Sequence, residues 1–564
     1  MKLINTIKAL KRISRLPNPE VGPTVGALPN WSKLIAASGR LWPDALKKAE
    51  GGPGVLIATS VGGQAAVTIL ESLLGVALTL RGARVKFLLC DGVLPACLQV
   101  HIGKIKDLSI ITEYKLNEKV CPGCLGKGKK LYAQTQLPVL FYGDLITPRE
   151  KQEIRQMAHA IPIDEIKNYT RDGFSIGEHA TAGALRFLSR GQLPEDPQSQ
   201  DILRRYFESA LITVQVIMNL YQQNSIEAAV FNHGIYVPQG IIGEVSRSLQ
   251  KRVANWQVAY RKKCFIFSHH HTYHHTLLNE PVSNWKNIAW SKKLETLTMD
   301  YLNSRRFGTQ DWIWFHDQPK HELKEIVREL NIDFKKPTVI LLTNVFWDAQ
   351  LHYKANAFKD MLDWLIQSID YFKQRPDIQA VIRIHPAEIR GAIPSRQPLK
   401  EELANRYPQL PANIFIVPPE SQISTYTLCE NSDSVIIYGT KTGVETTAIG
   451  IPVIVAGEAW VRNKGLTIDV DSPAAYRKIL DTLPLRKRME KKDIQTARKY
   501  AFHFFFRRFV PLGFLNPCSG GIPYEIKIDN LEALLPGQDK GLDVLCDGFL
   551  TGSEFIYPAE DYLQ

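Results

Sequence analysis

The chain lacks any run of about 18 uninterrupted apolar residues, the length a helix needs to cross a bilayer, so no transmembrane helix is expected. Its first 15 residues, MKLINTIKALKRISR, contain no acid and lack the apolar core and small-residue cleavage site of a signal peptide. Secretion is therefore not expected, and a cytoplasmic setting is. No short-period repeat is visible, nor any RNA-recognition, KH or zinc-finger pattern. Because the basic residues are spread along the chain, nucleic acid ranks last among polyanionic partners.

What is present is an ordinary globular balance, 45% apolar and 22% charged, in 564 residues. At roughly 150 residues per domain, that length predicts two large lobes plus extensions. A net charge of +12 suits anionic lipid, sugar nucleotides or acidic glycans. In the N-terminal segment, Lys2, Lys8, Lys11, Arg12 and Arg15 accompany Leu3, Ile4, Ile7, Leu10 and Ile13 near helical spacing. The segment reads either as a helix lying on an anionic membrane surface or as a docked N-terminal helix.

The fragment from Gly54 to Gly92 runs strand, glycine turn, helix, strand. Val55 to Thr59 is a short apolar run of buried-strand type, and Ala66, Ile69, Leu70, Leu73, Leu74, Ala77 and Leu80 repeat at helical spacing. Gly82 stops that helix before the strand Val85 to Leu89, giving a βαβ unit and hence a parallel sheet. Further strands are expected at Val139 to Tyr142, Ala228 to Asn232, Val253 to Ala259 and Cys264 to Ser268, with a long helix from about Asp201 to Gln223. A second α/β series starts at Val339 and contains AVIRIHP, NIFIVP and SVIIYGTKTGVETTAIGIPVIVAG. The predicted fold is α/β, with two Rossmann-like lobes facing a central cleft. Ligands of such sheets bind beyond the carboxyl ends of the strands.

The strongest candidate site is the loop after strand Val435 to Ile437, comprising Gly439, Thr440, Lys441, Thr442, Gly443 and Glu445. Its glycines allow close backbone approach, a helix starting near Gly443 would point free amides at phosphate, and Glu445 would accept from ribose hydroxyls. Thr442-x-x-Glu445 also has the form of a capping box, which needs no ligand. The second candidate is Arg383-Ile384-His385-Pro386 at the edge of a strand, where His385 would donate to a phosphate oxygen of the departing nucleotide. A buried structural histidine is the alternative there.

In the first half, Ser60, Gly62, Gly63 and Gln64 form the turn after the first strand, where exposed amides would meet an acceptor or donor phosphate. His233, after a strand, and Glu178 and His179 in FSIGEHATAG are candidate bases for an acceptor hydroxyl. The run from Ser268 to His275 holds five of the 14 histidines; it reads as a loop for phosphate or acidic sugar, or simply as a solvated loop. Consecutive histidines seldom converge on one metal ion, and no catalytic metal is evident.

Cys90-x6-Cys97 and Cys121-Pro-Gly-Cys124 account for four of the eight cysteines. The second pair resembles a zinc knuckle, and a cytoplasmic setting argues against disulfides. A structural zinc site on Cys90, Cys97, Cys121 and Cys124 is favoured, with an iron–sulfur cluster or unbound thiols as alternatives. The ending KYAFHFFFRRFVPLGF reads as a helix covering apolar surface on the first lobe, or as a membrane-facing aromatic and basic surface.

The His385-Pro386 element and the Gly439 to Glu445 loop, with Gly450-Ile451-Pro452-Val453 and Trp460 to Gly465, resemble the bacterial capsule polysaccharide biosynthesis family. That family includes GT-B glycosyltransferases such as Kdo transferases. The resemblance is clearest over 338–480 and weaker over 55–100 and 228–260. It implies a GT-B fold and transfer of a sugar from a nucleotide donor to a glycan or glycolipid acceptor, with residues 439–445 as the donor loop. The expected layout is a basic extension (1–50), an acceptor lobe with the cysteine insertion (51–310), a nucleotide-sugar lobe (311–500), and an aromatic and basic helix and tail (501–564). Alternatives on the same scaffold are a sugar-nucleotide epimerase, a polyol-phosphate transferase, or a non-catalytic, metal-stabilised scaffold of envelope polysaccharide assembly. Peripheral contact with the inner face of the membrane accompanies the basic N-terminus.

Overall fold

The computed structural model describes residues 27–315, 318–348, 355–485, 488–518 and 524–562. The basic segment Met1 to Arg15, read above as membrane-surface or docked helix, lies outside the described residues. Among the described residues no helix is long and apolar enough to cross a membrane.

Two sheets organise the chain. The first is built from β1 (Gly54–Ser60), β2 (Arg84–Leu89), β3 (Val139–Phe141), β4 (Ala228–Asn232), β5 (Arg252–Val258) and β6 (Cys264–His269). The second uses β7 (Thr338–Leu342), β8 (Gln379–Arg383), β9 (Ile414–Val417), β10 (Ser434–Ile437), β11 (Val453–Val455) and β12 (Ile468–Asp469). A late strand, β13 (Val510–Pro511), returns to the first sheet, whose order is β13-β6-β5-β4-β1-β2-β3. Strands β1 to β5 pair in parallel, while β6 and β13 are antiparallel additions at one edge. The second sheet, β12-β11-β10-β7-β8-β9, is parallel throughout.

Continuous apolar runs suit strands covered on both faces. Along β1, Val55 and Ile57 enter one core with Phe87 and Trp256, and Leu56 and Ala58 enter the other with Phe207 and Ile241. Helix α1 (Ala65–Leu80) covers the former face; its Gly75 leaves room for Phe87, whose ring an added Cβ would meet at 2.5 Å. Between β2 and β3 lies α2 (Cys121–Ala133), so the Cys121-Pro-Gly-Cys124 fragment is the first turn of a helix rather than a free knuckle. Proline is tolerated there because first-turn amides have no intrahelical acceptor. The opposite face carries α3 (Ile176–Leu188), α4 (Pro197–Gln223) and α5 (Gln239–Ser248). Helix α4 starts earlier than its apolar spacing predicts, because Asp196 caps it by accepting from the Ser199 amide and Pro197 follows.

In the second sheet, α6 (Met361–Phe372) packs on one face, and α7 (Thr442–Ala448) with α8 (Lys491–Phe502) on the other. The aromatic run after α8 is buried: Phe504 and Phe505 are 0% exposed, packed with Ile266 and Trp285 as well as Val444. This overturns the membrane-facing reading, because the rings fill a core shared by both sheets. Beyond β13, α9 (Lys540–Thr551) lays Leu542, Leu545 and Phe549 on the first sheet.

Candidate active site

Strands β10, β7 and β8 are neighbours, and Ile437, Leu342 and Arg383 stand in register at their carboxyl ends. The loops that follow therefore arrive at one edge: Gly439 to Thr442, Thr343 to Asp348, and His385-Pro386. They surround a cavity of about 310 Å³ whose walls include Tyr260, Trp314, Phe315, Tyr426 and Trp460.

His385 is half-buried there and held by its backbone, whose N–H donates 2.9 Å to Thr343 Oγ1. Its Nδ1 accepts from the Ala387 amide at 3.1 Å, which places the proton of a neutral ring on Nε2. The Phe315 ring meets the imidazole edge-on at 5.5 Å. Across β7, Asn344 Nδ2 donates to Gly439 O at 3.1 Å and ties the two loops together. The hydroxyls of Thr440 and Thr442 lie 3.1 Å apart, and both residues line the cavity.

The capping box does not form. Helix α7 begins at Thr442 with Lys441 as its N-cap and no side-chain cap bond; the Thr442 amide donates instead to Thr440 Oγ1 at 3.3 Å. Glu445 lies beneath the loop, outside the residues that line the cavity, with Arg305 Nε at 3.1 Å, Lys441 Nζ at 3.4 Å and the Tyr426 hydroxyl donating to it. Burial would raise its pKa, but Arg305, Lys441 and Tyr426 outweigh that and hold it at about 2. Arg305 also pairs with Asp311 and donates from its guanidinium to Tyr301 Oη at 3.0 Å. Glu445 thus acts as the internal counter-ion that fixes Lys441 and Arg305, rather than as the ribose acceptor the motif suggested. Lys441 lies over the Tyr260 ring at 4.6 Å, its pKa lowered by burial and by Arg305. Gly443 faces inward, where an added Cβ would meet Ile437 at 2.5 Å.

Arg383 borders the cavity, but its guanidinium donates to Pro418 O at 2.6 Å and Ser421 O at 3.2 Å, which anchors the chain after β9. Burial, with Arg390 nearby, lowers its pKa to about 10.

A second cavity of about 400 Å³ adjoins the first and takes walls from both sheets, among them Gln64, Arg186, His233, Tyr236, Trp347 and Ile393. Asp348 lines both cavities. Tyr236 Oη donates to Asp348 Oδ1 at 2.8 Å, linking the loop after β4 to the loop after β7. Burial raises the Asp348 pKa from its ordinary value. Sequence reasoning missed Asp348, although its place six residues past an apolar strand was a usable signal. His233, at φ +69°, follows β4 with its ring 4.8 Å from that of Tyr236.

The remaining first-half candidates lie elsewhere. His179 is 2% exposed, its Nδ1 is 2.5 Å from Ile235 O, and its Nε2 is 3.6 Å from Glu244. With Glu178 it borders a separate cavity of about 320 Å³ containing His271 and His275. Its reach to Ile235 steadies the turn that presents His233 and Tyr236. Ser60 Oγ is bonded to Tyr142 Oη at 2.8 Å, and the Gly63 amide donates to Cys124 Sγ at 3.1 Å; of this loop, Gln64 reaches the cleft. The histidine run splits: His269 stacks on Phe555 at 4.3 Å, while His274 lines the first cavity beside Trp460.

Cys90, Cys97, Cys121 and Cys124 are free thiols lining one small cavity of about 20 Å³. Among the described residues, no group of three or more His, Cys, Asp or Glu side chains is placed to hold a metal ion. A preformed zinc site therefore gains no support, the thiols being arranged around a gap rather than drawn onto one point.

Comparison with known proteins adds a family-model match over part of the chain. No curated protein matches the chain. Among solved structures, the Thermosulfurimonas dismutans KpsC beta Kdo 2,4 transferase overlaps 49% of this chain and 80% of its own, at 14% identity and a TM-score of 0.32. The UDP-GlcNAc 2-epimerase from Neisseria meningitidis overlaps 79% of this chain and 98% of its own, at 8% identity and a TM-score of 0.23. At that level of overlap neither settles architecture or chemistry. Residues 311–503, which contain the His385 edge and the Gly439 loop, match the model of the capsule polysaccharide biosynthesis protein family.

Proposed function

We propose that this protein is a glycosyltransferase of capsule-type polysaccharide synthesis, moving a sugar from a nucleotide-activated donor to a glycan or glycolipid acceptor on the cytoplasmic side of the membrane. The observation that carries this reading is the pairing of two adjoining cavities at the carboxyl edge of the second sheet, with Asp348 on the boundary. In the first, the aromatic walls take the nucleotide base, while His385, Thr440 and Thr442 face the phosphates. Nε2–H of His385 donates to a phosphate oxygen and stabilises the charge that grows as the nucleotide departs.

The acceptor occupies the second cavity, between Gln64 and His233 on one side and Trp347 on the other. Asp348 takes the proton of the attacking hydroxyl, and its raised pKa makes it a stronger base than an exposed carboxylate. The Tyr236 hydrogen bond holds the carboxylate in place across the cleft. An epimerase works on one substrate, so a second cavity sharing an acid with the first favours transfer.

A thermal-shift screen of UDP-, GDP-, CMP- and CDP-linked sugars tests the donor half, since selective binding stabilises the native state. One nucleotide class should raise the melting temperature, and Asp348→Asn should keep that shift while losing transfer. If none of the four classes binds, the reading fails. Epimerised sugar nucleotide formed without acceptor would replace it with the epimerase.

A further inference from the structure

The four cysteines of the first sheet come from three separate places: Cys90 directly after β2, Cys97 in the loop beyond, and Cys121 and Cys124 in the first turn of α2. They converge on a single gap whose other walls are Ser60, Gln99 and the apolar Val61, Leu94, Val100 and Leu116 among them. No carboxylate, lysine or arginine lines it. A void amid packed side chains costs stability, and four polarisable sulfurs around it form a donor set for a soft cation.

The frame around the sulfurs is fixed from behind. Cys90 N–H donates to Ser60 O at 2.9 Å, and Tyr206 Oη donates to Cys97 O at 3.1 Å. Helix α2 lies so close to the loop after β1 that a Cβ on Gly62 would meet Cys124 O at 2.9 Å. The Gly63 amide is aimed at Cys124 Sγ, an N–H···S bond that a thiolate accepts better than a thiol. Two of the sulfurs sit at the amino end of a 13-residue helix, whose dipole favours negative charge.

We propose that Cys90, Cys97, Cys121 and Cys124 form a four-thiolate centre for a thiophilic metal, either one zinc ion or an iron–sulfur cluster taken up preassembled. Ligation sends the S–H protons to solvent. A single zinc ion requires the side chains to rotate inward until each sulfur lies about 2.3 Å from it, whereas a cluster fills the gap between sulfurs that stand further apart. The centre is a brace. It joins the segments that carry Gln64 and Leu98, both of which line the cleft between the sheets, to the start of α2. It stands independently of the transfer reaction proposed above.

The test uses the full chain, purified with and without air and with no added metal. Zinc, iron and acid-labile sulfide are measured per chain, and the visible spectrum is recorded. Zinc near one equivalent without sulfide identifies the single ion; iron with sulfide and visible absorption identifies the cluster. Either supports the proposal, provided that Cys97→Ser and Cys121→Ser lose most of the metal and Cys546→Ser, in another core, keeps it. To separate ligation from unfolding of the first two variants, alkylation of the wild-type chain is mapped before and after chelation. The four thiols should become reactive only after the metal is removed. Metal-free folded protein from both preparations, retention of metal by the Cys97→Ser/Cys121→Ser double variant, disulfides among the four, or labelling unchanged by chelation would each overturn it.

Discussion

Two glycine loops follow parallel strands in this chain, Ser60 to Gln64 after β1 and Gly439 to Thr442 after β10, and both carry the small and hydroxylated residues that suit a phosphate. Their surroundings separate them. The insertion between β2 and β3 places α2 against the first loop, so its hydroxyl turns to Tyr142 and its amide to Cys124. Among the described residues no comparable element covers the second, where Thr440 and Thr442 face the cavity and the nearest atoms to an added Cβ on Gly439 are Glu458 O at 3.5 Å and Asn344 Nδ2 at 3.8 Å. Local sequence sets what a loop can do; the element packed over it sets what it does.

The largest effect should come from the ion pairs under the second loop. Glu445→Ala strands Lys441 and leaves Arg305 with Asp311 alone, which should cost about 3 kcal/mol in denaturant unfolding. If the loss is negligible, the loop is held by its backbone alone. The same group gives a pH signature. Its folded pKa of about 2 lies below its ordinary 4.5, so the stability it contributes is complete above pH 4.5 and is lost as the pH falls toward 2. Glu445→Gln should start less stable at neutral pH and show a shallower decline across that window.

Next in size is the contrast between the loops themselves. Gly62→Ala drives a Cβ against the backbone of α2 and should cost about 1–3 kcal/mol of stability. Gly439→Ala should change stability by less than about 0.5 kcal/mol and weaken donor binding instead. Equal destabilisation of both variants would erase the distinction. His385→Ala should lose about 1.5–3 kcal/mol of donor binding by calorimetry, with the melting temperature of the free protein nearly unchanged. Among the changes to the ion pairs, Tyr426→Phe should cost least, about 1 kcal/mol of stability, since it removes one hydrogen bond to Glu445 and leaves both cations in place.

Much of the architecture was legible because the strands are short continuous apolar runs between turn residues. Ala228 to Asn232 coincides with β4, and Val85 to Leu89 differs from β2 by one residue. The return of Val510 and Pro511 to the first sheet was not legible, since a two-residue strand has no period and its partner β6 is far away in sequence. The site divides the same way. His385 and Thr440 stand out because they follow buried strands at once. Asp348 follows Val345-Phe346-Trp347 with no motif around it, and its role depends on Tyr236 arriving from the other sheet.

By itself, the sequence determined two parallel α/β series, the strand ends that bear polar loops, and the two cysteine pairs, because each is written in neighbouring residues through periodicity and spacing. The tertiary structure alone decided which side chains face a cavity. Glu445 turned inward because Arg305, 140 positions earlier in the chain, arrives beneath it; His179 went to the core because Ile235 O waits there; and the four cysteines met because α2 folds back over β1. Charge pairing and close packing act through space, between residues whose separation along the chain carries no record of the contact.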